Sequence, residues 1–364
     1  MKKHRVDYGI VTAMTILLLI GIVMVYSASY PYAIAEYNDG LHVFKKHVIY
    51  LILGIISTIA TYIIPLRFWK KSSFFILLIT MGLCLLTFTS YGVEIYGARR
   101  WVYFSFLRST IQPSDFLKFG ICLYIPSLLS NRREQTVIPF VFFGILALAL
   151  GIVYKQRDLS TTMVIGIIMF MLYFVTYMHL WEIPIYGLAA FVGLKVSLTG
   201  YRMLRIKAWK DPEAYALQKG WGILQTLYAV ANGGVFGVGI GNSIQKYSYI
   251  FAAHSDYIFS ILSEELGLIG VFFTFSCILF MTIRLMIQSM KLDDDFGSLV
   301  LFAVASLIGV QSLIHIGVGA NAIPATGIPL PFISYGGSSM IAFMAMMGLV
   351  FNVLASCKRK ELKE

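Results

Sequence analysis

Apolar positions in this 364-residue chain neither alternate nor form stripes; they run unbroken for long stretches. Runs of roughly 20 apolar residues match the hydrocarbon thickness of a bilayer. Ten are read, at 8–29, 47–66, 73–91, 114–130, 138–154, 162–178, 182–199, 257–288, 297–320 and 336–356. Backbone inside lipid must satisfy its own hydrogen bonds, and the dyad alternation of a membrane barrel is absent, so each run is predicted to be a helix. The expected fold class is therefore an all-α polytopic membrane protein. Residues 1–364 form one integral membrane domain, with its longest loop at 200–256 between spans 7 and 8.

Composition agrees. Hydrophobic residues make up 58% of the chain and charged residues 13%, against about 25% charged in ordinary soluble domains. Cys84, Cys122 and Cys277 lie inside apolar runs and Cys357 follows the last, so the four cysteines read as packing residues rather than a disulfide framework. "MKKHR" before the first run resembles a signal-peptide start. The run is too long for one and no small-residue cleavage site follows, so it is read as a retained span. An even number of spans puts both termini on one side. "MKKHR", "CKRKELKE" and the short loops "PLRFWKK", "NRRE" and "RLMIQSMKLDDD" are basic, which places that side in the cytoplasm.

That topology puts "GARRWVYFSFLRSTIQPSDFLK" (97–118) outside, with Arg99 and Arg100 close to a span end. Such charge is either a solvated loop against headgroups or a site for an anionic ligand. Trp101, Tyr103, Phe104 and Phe106 suit the membrane interface. Ser114, after Pro113, is a candidate N-cap for the fourth span. Lys118 falls one turn below it, within the span, where a cation faces either a polar cavity or Asp115.

Segment 200–256 begins with Arg202, Arg205, Lys207 and Lys210. Residues 220–231 read as a short amphipathic or re-entrant helix. "GGVFGVGIGNS" follows, either a flexible loop or backbone able to turn its amides towards phosphate. "AAHSDYIFSILSEELG" sets Asp256 at the outer edge of the eighth span, beside His254. If the helix is continuous, Glu264 lies two turns deeper on roughly the same side and Glu265 points away. A carboxylate at a low-dielectric boundary gains basicity and can act as a base, hold a metal ion, or pair with an arginine. Asp158 in "QRDLSTT" is a further exterior acid, its simplest partner being the adjacent Arg157. "IPATGIPLPFISYGGSS" carries too much proline for a regular span, so it is expected to be irregular and sheltered by protein or water.

In order and spacing, "GARRW…QPSD..K", "YRMLRIKAWKDP", "GGVFGVGIGNSIQK", "HSDYIFSILSEELG" and "ATGIPLPFISYGGSS" resemble the SEDS family of bacterial cell-wall polymerases, to which FtsW, RodA and SpoVE belong. The resemblance covers essentially the whole chain. It implies a peptidoglycan glycosyltransferase in the cytoplasmic membrane that joins lipid II units into glycan strands at the outer face, for division, sporulation or shape. It makes Asp256 the catalytic residue and Trp101 important for activity. It places Arg99, Arg100, Trp101, Gln112, Ser114, Lys118, Arg205, Ser243, Lys246, His254 and Glu264 at the substrate. Asp256 serves as base or as ligand to a divalent cation, Mg or Mn; no organic cofactor is expected. Expected partners are lipid II, a class B penicillin-binding protein and other division or elongation proteins, with no nucleic acid.

The sequence departs from the family pattern in places. "QRDLST" stands for the usual "QPDLGT", "YIF" for "YIP" at 249–251, and "QPSD" for "QPSE" at Asp115. His315 replaces asparagine, and Asn321 often-found glycine. These departures bear on Asp158 and its loop. "PFISYGGSS" and "HSD" lean towards the division and sporulation branch. Two rival functions use the same residues: a flippase moving lipid II across the membrane, and a scaffold that only positions a transpeptidase. The acids cluster at the outer boundary and no internal repeat is visible, which favours the enzyme.

Overall fold

A computed structural model of the chain describes residues 7–357, apart from 96, 105–108, 132–137, 178, 198, 199, 218, 219, 248, 249 and 251. Among the described residues, ten apolar helices stand where the ten runs were read. Seven precede the long loop: α1 (Tyr8–Tyr37), α2 (His42–Ile63), α3 (Leu66–Leu86), α4 (Pro113–Leu129), α5 (Ile138–Lys155), α6 (Leu159–Thr176) and α7 (Ile183–Ser197). The loop itself contains α8 (Tyr201–Lys210) and α9 (Gly220–Gly233); α10 (Ile258–Met290), α11 (Asp295–Gly319) and α12 (Gly337–Ser356) follow. Eight of the ten are long and apolar enough to cross a membrane. The other two are α4, with 17 residues, and α7, with 15. At 1.5 Å per residue they reach only about 26 and 22 Å, short of a hydrocarbon core of about 30 Å. Both basic termini, most of the "NRRE" loop, Phe106, Arg108 and most of "YIF" lie outside the described residues.

Capping explains the sharp helix boundaries. Asp7 accepts from the Gly9 amide to start α1, and Asp294 accepts from the Gly297 amide to start α11. The most buried spans are α11 and α12, which form the centre. The α2–α12 contact is tight: Ser57, Thr58 and Thr61 donate to the carbonyls of Ile341, Met344 and Ala345. Gly348 is needed there, since a Cβ would collide with the Thr58 backbone. Small residues and side-chain hydrogen bonds replace the hydrophobic drive that lipid removes.

One end of the bundle gathers the chain ends. Asp7 there accepts from Arg284 and Gln288, and Cys357 packs against Asp294. The distal end carries everything irregular. The stretch read as an aromatic loop is a three-stranded antiparallel sheet, β1 (Gly92–Ile95), β2 (Ala98–Phe104) and β3 (Ser109–Ile111), in the order β1-β2-β3. The basic run 201–210, read as loop, is helical. As expected, residues 321–335 contain no regular helix or strand. This strap is tied down along its length. Trp209 donates to Asn321 O, Arg205 to Ala325 O and Gln311 to Pro329 O, and the Ser334 hydroxyl donates to Ser255 O.

Candidate active site

Asp256 is the last residue but one before α10. It does not share that helix with Glu264, as a continuous helix would require. It sits in a turn, 252–257, whose Ala252 has φ 56° and accepts from the amides of Ser255 and Asp256. The strap closes over this turn: the Tyr335 amide donates to His254 O at 2.9 Å. Gly327 faces both Asp256 Oδ2 and the Arg100 guanidinium, and a Cβ there would touch the carboxylate at 3.4 Å. Burial pushes the Asp256 carboxyl up to about 6, against the pull of Arg100 and Arg205 and with a further push from Asp158. Among the described residues, no cation lies within ion-pair distance of it. A partly buried carboxylate raised in this way and faced by two cations can exchange a proton near neutral pH.

The cationic side is organised by β2. Alternation along the strand separates two neighbours expected to act together. Arg99 points outward and pairs with Glu94 at 3.1 Å, both half-exposed. Arg100 points inward, donates to Arg157 O at 2.7 Å and lies 3.7 Å from Asp158; its Nε is buried without a partner. Trp101 faces Val93 across the sheet. Asp158 is buried, caps α6 through the amide and hydroxyl of Thr161, and accepts from Gln112 at 3.3 Å. Gln112 also donates to Ser114, and its amide reaches Ser338 at the start of α12. Arg157 does not neutralise Asp158; it donates to Gly97 O. Asp158 is the residue that sequence reasoning undervalued. The Asp-x-x-Thr spacing of "DLST" was the available signal, because it marks a buried helix cap.

Lys118 is buried. It donates to Asp115 at 2.9 Å and to Gln311 at 3.2 Å, and reaches the strap through Gln311. Three other expected substrate residues belong to a separate network. Glu264 accepts from Ser243 and from the amides of Ile244 and Gln245. Lys246 donates to Glu265 at 2.9 Å, to Ser27 at 2.9 Å and to Gly241 O. The glycine-rich loop beside them cradles the backbone of α10. Its Val238 and Gly239 amides donate to the Glu264 and Glu265 carbonyls, and its Gly234 and Val235 carbonyls receive Leu268 and Ile269, across a break in α10 at Gly267 (φ 64°). Ser243, Lys246 and Glu264 are therefore placed in a pin that holds the long loop onto α10, apart from Asp256.

His254, next to Asp256, is kept neutral at pH 7 because burial lowers it to about 4. A divalent cation has little protein to hold it. Among the described residues no group of three or more His, Cys, Asp or Glu side chains converges, whereas Mg and Ca sites usually draw on several oxygens. Asp256 offers one carboxylate facing two arginines, so the residues present do not form a metal cage.

The fold and site define a polytopic helical membrane protein with a buried carboxylate and two arginines gathered at the distal end of the bundle. The family model of FtsW, RodA and SpoVE cell cycle proteins matches residues 8–359, and the chain belongs to that family. It is 34% identical over 365 residues to Stage V sporulation protein E of Bacillus subtilis, covering 97% of this chain and 98% of that one. To a probable peptidoglycan glycosyltransferase FtsW of Geobacter metallireducens it is 33% identical over 366 residues, covering 98% and 96%. In fold it matches a chain of a peptidoglycan synthase complex with a TM-score of 0.79 at 24% identity, covering 96% of this chain and 97% of that one. Thermus thermophilus RodA superposes with a TM-score of 0.70 at 24% identity, covering 96% of each chain.

Proposed function

We propose that this protein is a peptidoglycan glycosyltransferase that polymerises lipid II with the distal end of its bundle facing outside the cell. The observation that carries the reading is Asp256, poised near neutrality under the strap and faced by Arg100 and Arg205. In the reaction, a sugar 4-hydroxyl attacks an anomeric carbon. The new C–O bond forms as the bond to phosphate breaks, the pyrophosphate leaves with the electron pair, and Asp256 takes the hydroxyl proton. Arg100 and Arg205 stabilise the charge that gathers on the departing pyrophosphate. Lys118 supports them at one remove, through Gln311 and the strap. The charge bias of the short loops supports the orientation. A class B penicillin-binding protein that crosslinks the product is the expected partner.

The test is polymerisation of labelled lipid II by the purified protein in detergent, where no membrane remains to be crossed. Wild type should form glycan, and Asp256→Asn should lose roughly 100-fold or more of the rate, the low end for a lost general base. Asp211→Asn is the control. Asp211 ends α8 and caps a surface turn through the Ala214 amide, so that variant should stay active. No polymer from wild type would leave the flippase or scaffold reading; near-normal polymer from Asp256→Asn would remove Asp256 as the base.

A further inference from the structure

The cations near Asp256 can hold a pyrophosphate, but they do not grip an uncharged sugar. A base removes a proton only from a hydroxyl within hydrogen-bond reach, so the sugar that carries the attacking hydroxyl must lie beside this turn. His254 occupies the same turn, and two rings from different elements converge on it. Tyr32, at the outer end of α1, lies 5.2 Å from the His254 ring at a 30° tilt. Tyr335, at the end of the strap, meets it edge-on at 5.3 Å. Behind them, Tyr50 stands 6.2 Å from Tyr335, and Tyr37 6.2 Å from Tyr32.

We propose that Tyr32, His254 and Tyr335 form the seat of the acceptor sugar, an N-acetylated hexosamine whose 4-hydroxyl is presented to Asp256. A pyranose has C–H faces and a rim of hydroxyls. Ring faces pack against the former, while phenol and imidazole exchange hydrogen bonds with the latter. A neutral imidazole both donates and accepts, and His254 is neutral at physiological pH. Tyr32 is 40% exposed, so its ring can be reached from the open side. An interfacial aromatic belt, the alternative use of such rings, sets each of them at the headgroup level; here the rings converge on the turn that carries the base. The seat deepens the glycosyltransferase reading and rests on it.

The test uses saturation-transfer NMR with the lipid-free, peptide-free disaccharide N-acetylglucosaminyl-N-acetylmuramic acid and the full chain in detergent. Wild type and the Asp211→Asn control should both transfer to the sugar C–H protons. Tyr32→Leu should bind the disaccharide ~10-fold more weakly, one ring's share of stacking, while Tyr32→Phe, which keeps the ring but loses the phenol hydroxyl, should fall between that variant and wild type. With lipid II, Tyr32→Leu should raise KM and spare kcat. A polymerising wild type without transfer, or Tyr32→Leu that binds like wild type, overturns the seat and leaves a lipid-facing belt. Transfer from a wild type that makes no polymer keeps the sugar site and removes the polymerase reading.

Discussion

Asp256 and Asp158 show how one kind of side chain is set in two different environments by its surroundings. Asp158 accepts from Thr161 and Gln112 and is fixed, whereas Asp256 is pushed up to about 6 by burial. The rate should therefore climb as pH rises through about 6, as Asp256 loses its proton, and a pH–rate profile flat from 5 to 8 would contradict the base. Because Asp158 itself pushes Asp256 up, Asp158→Asn should move that acidic limb to lower pH. The same shift predicts a stability cost. A carboxyl raised above its unfolded value of 3.8 favours folding while protonated, and that contribution is lost as pH rises through about 6. At neutral pH, Asp256→Asn should thus be more stable than wild type, by on the order of 1–3 kcal/mol. Thermal unfolding in one detergent would decide; a less stable variant would mean that the charge has a structural partner.

Among the elements, the α10 break and the loop that fills it make the most exacting join. Lys246 and Glu265 form a buried pair there, so removing one partner should cost about 3–5 kcal/mol, while an apolar replacement of both should cost far less. Lys246→Met is expected to fold poorly, and Lys246→Met with Glu265→Leu to recover both folding and lipid II polymerisation. A folded but inactive double variant would return Lys246 to the substrate. The sequence made the spans legible because length and hydropathy alone decide them in lipid. It left the sheet hidden, since strands of three to seven residues are too short for alternation to stand out beside aromatic residues that suit an interface. Without the strand, Arg99 and Arg100 read as a pair, and the pleat that separates them was invisible. Helix α8 was hidden by its four cations, although Ala208 packs fully inside. The place of Asp256 at the outer edge of α10 was legible because its motif is local; the Lys246–Glu265–Ser27 triad was not, because it joins residues more than 200 positions apart.

For the whole molecule, the shared face of Asp7, Asp294 and Cys357 fixes the relation of the ends. Orientation can be tested with single cysteines in a cysteine-free background. Residues 38 and 215 should react with an impermeant thiol reagent in intact cells, and residue 72 should not. The reverse pattern would invert the molecule and place Asp256 inside.

The strap also sets the time at which the site comes into being. Ribosomes deliver Arg100, Asp158, Arg205 and Asp256 well before residues 321–335. Until those emerge, the Ser255 carbonyl lacks its donor and Asp256 lacks Gly327 above it. Because α12 follows directly and supplies Ser338 to Gln112, a nascent chain should stay inert until α12 is inserted. In cell-free translation onto lipid II vesicles, glycan should appear with full-length chain and not with chains stalled before residue 321; polymer from stalled chains would show that the strap is dispensable.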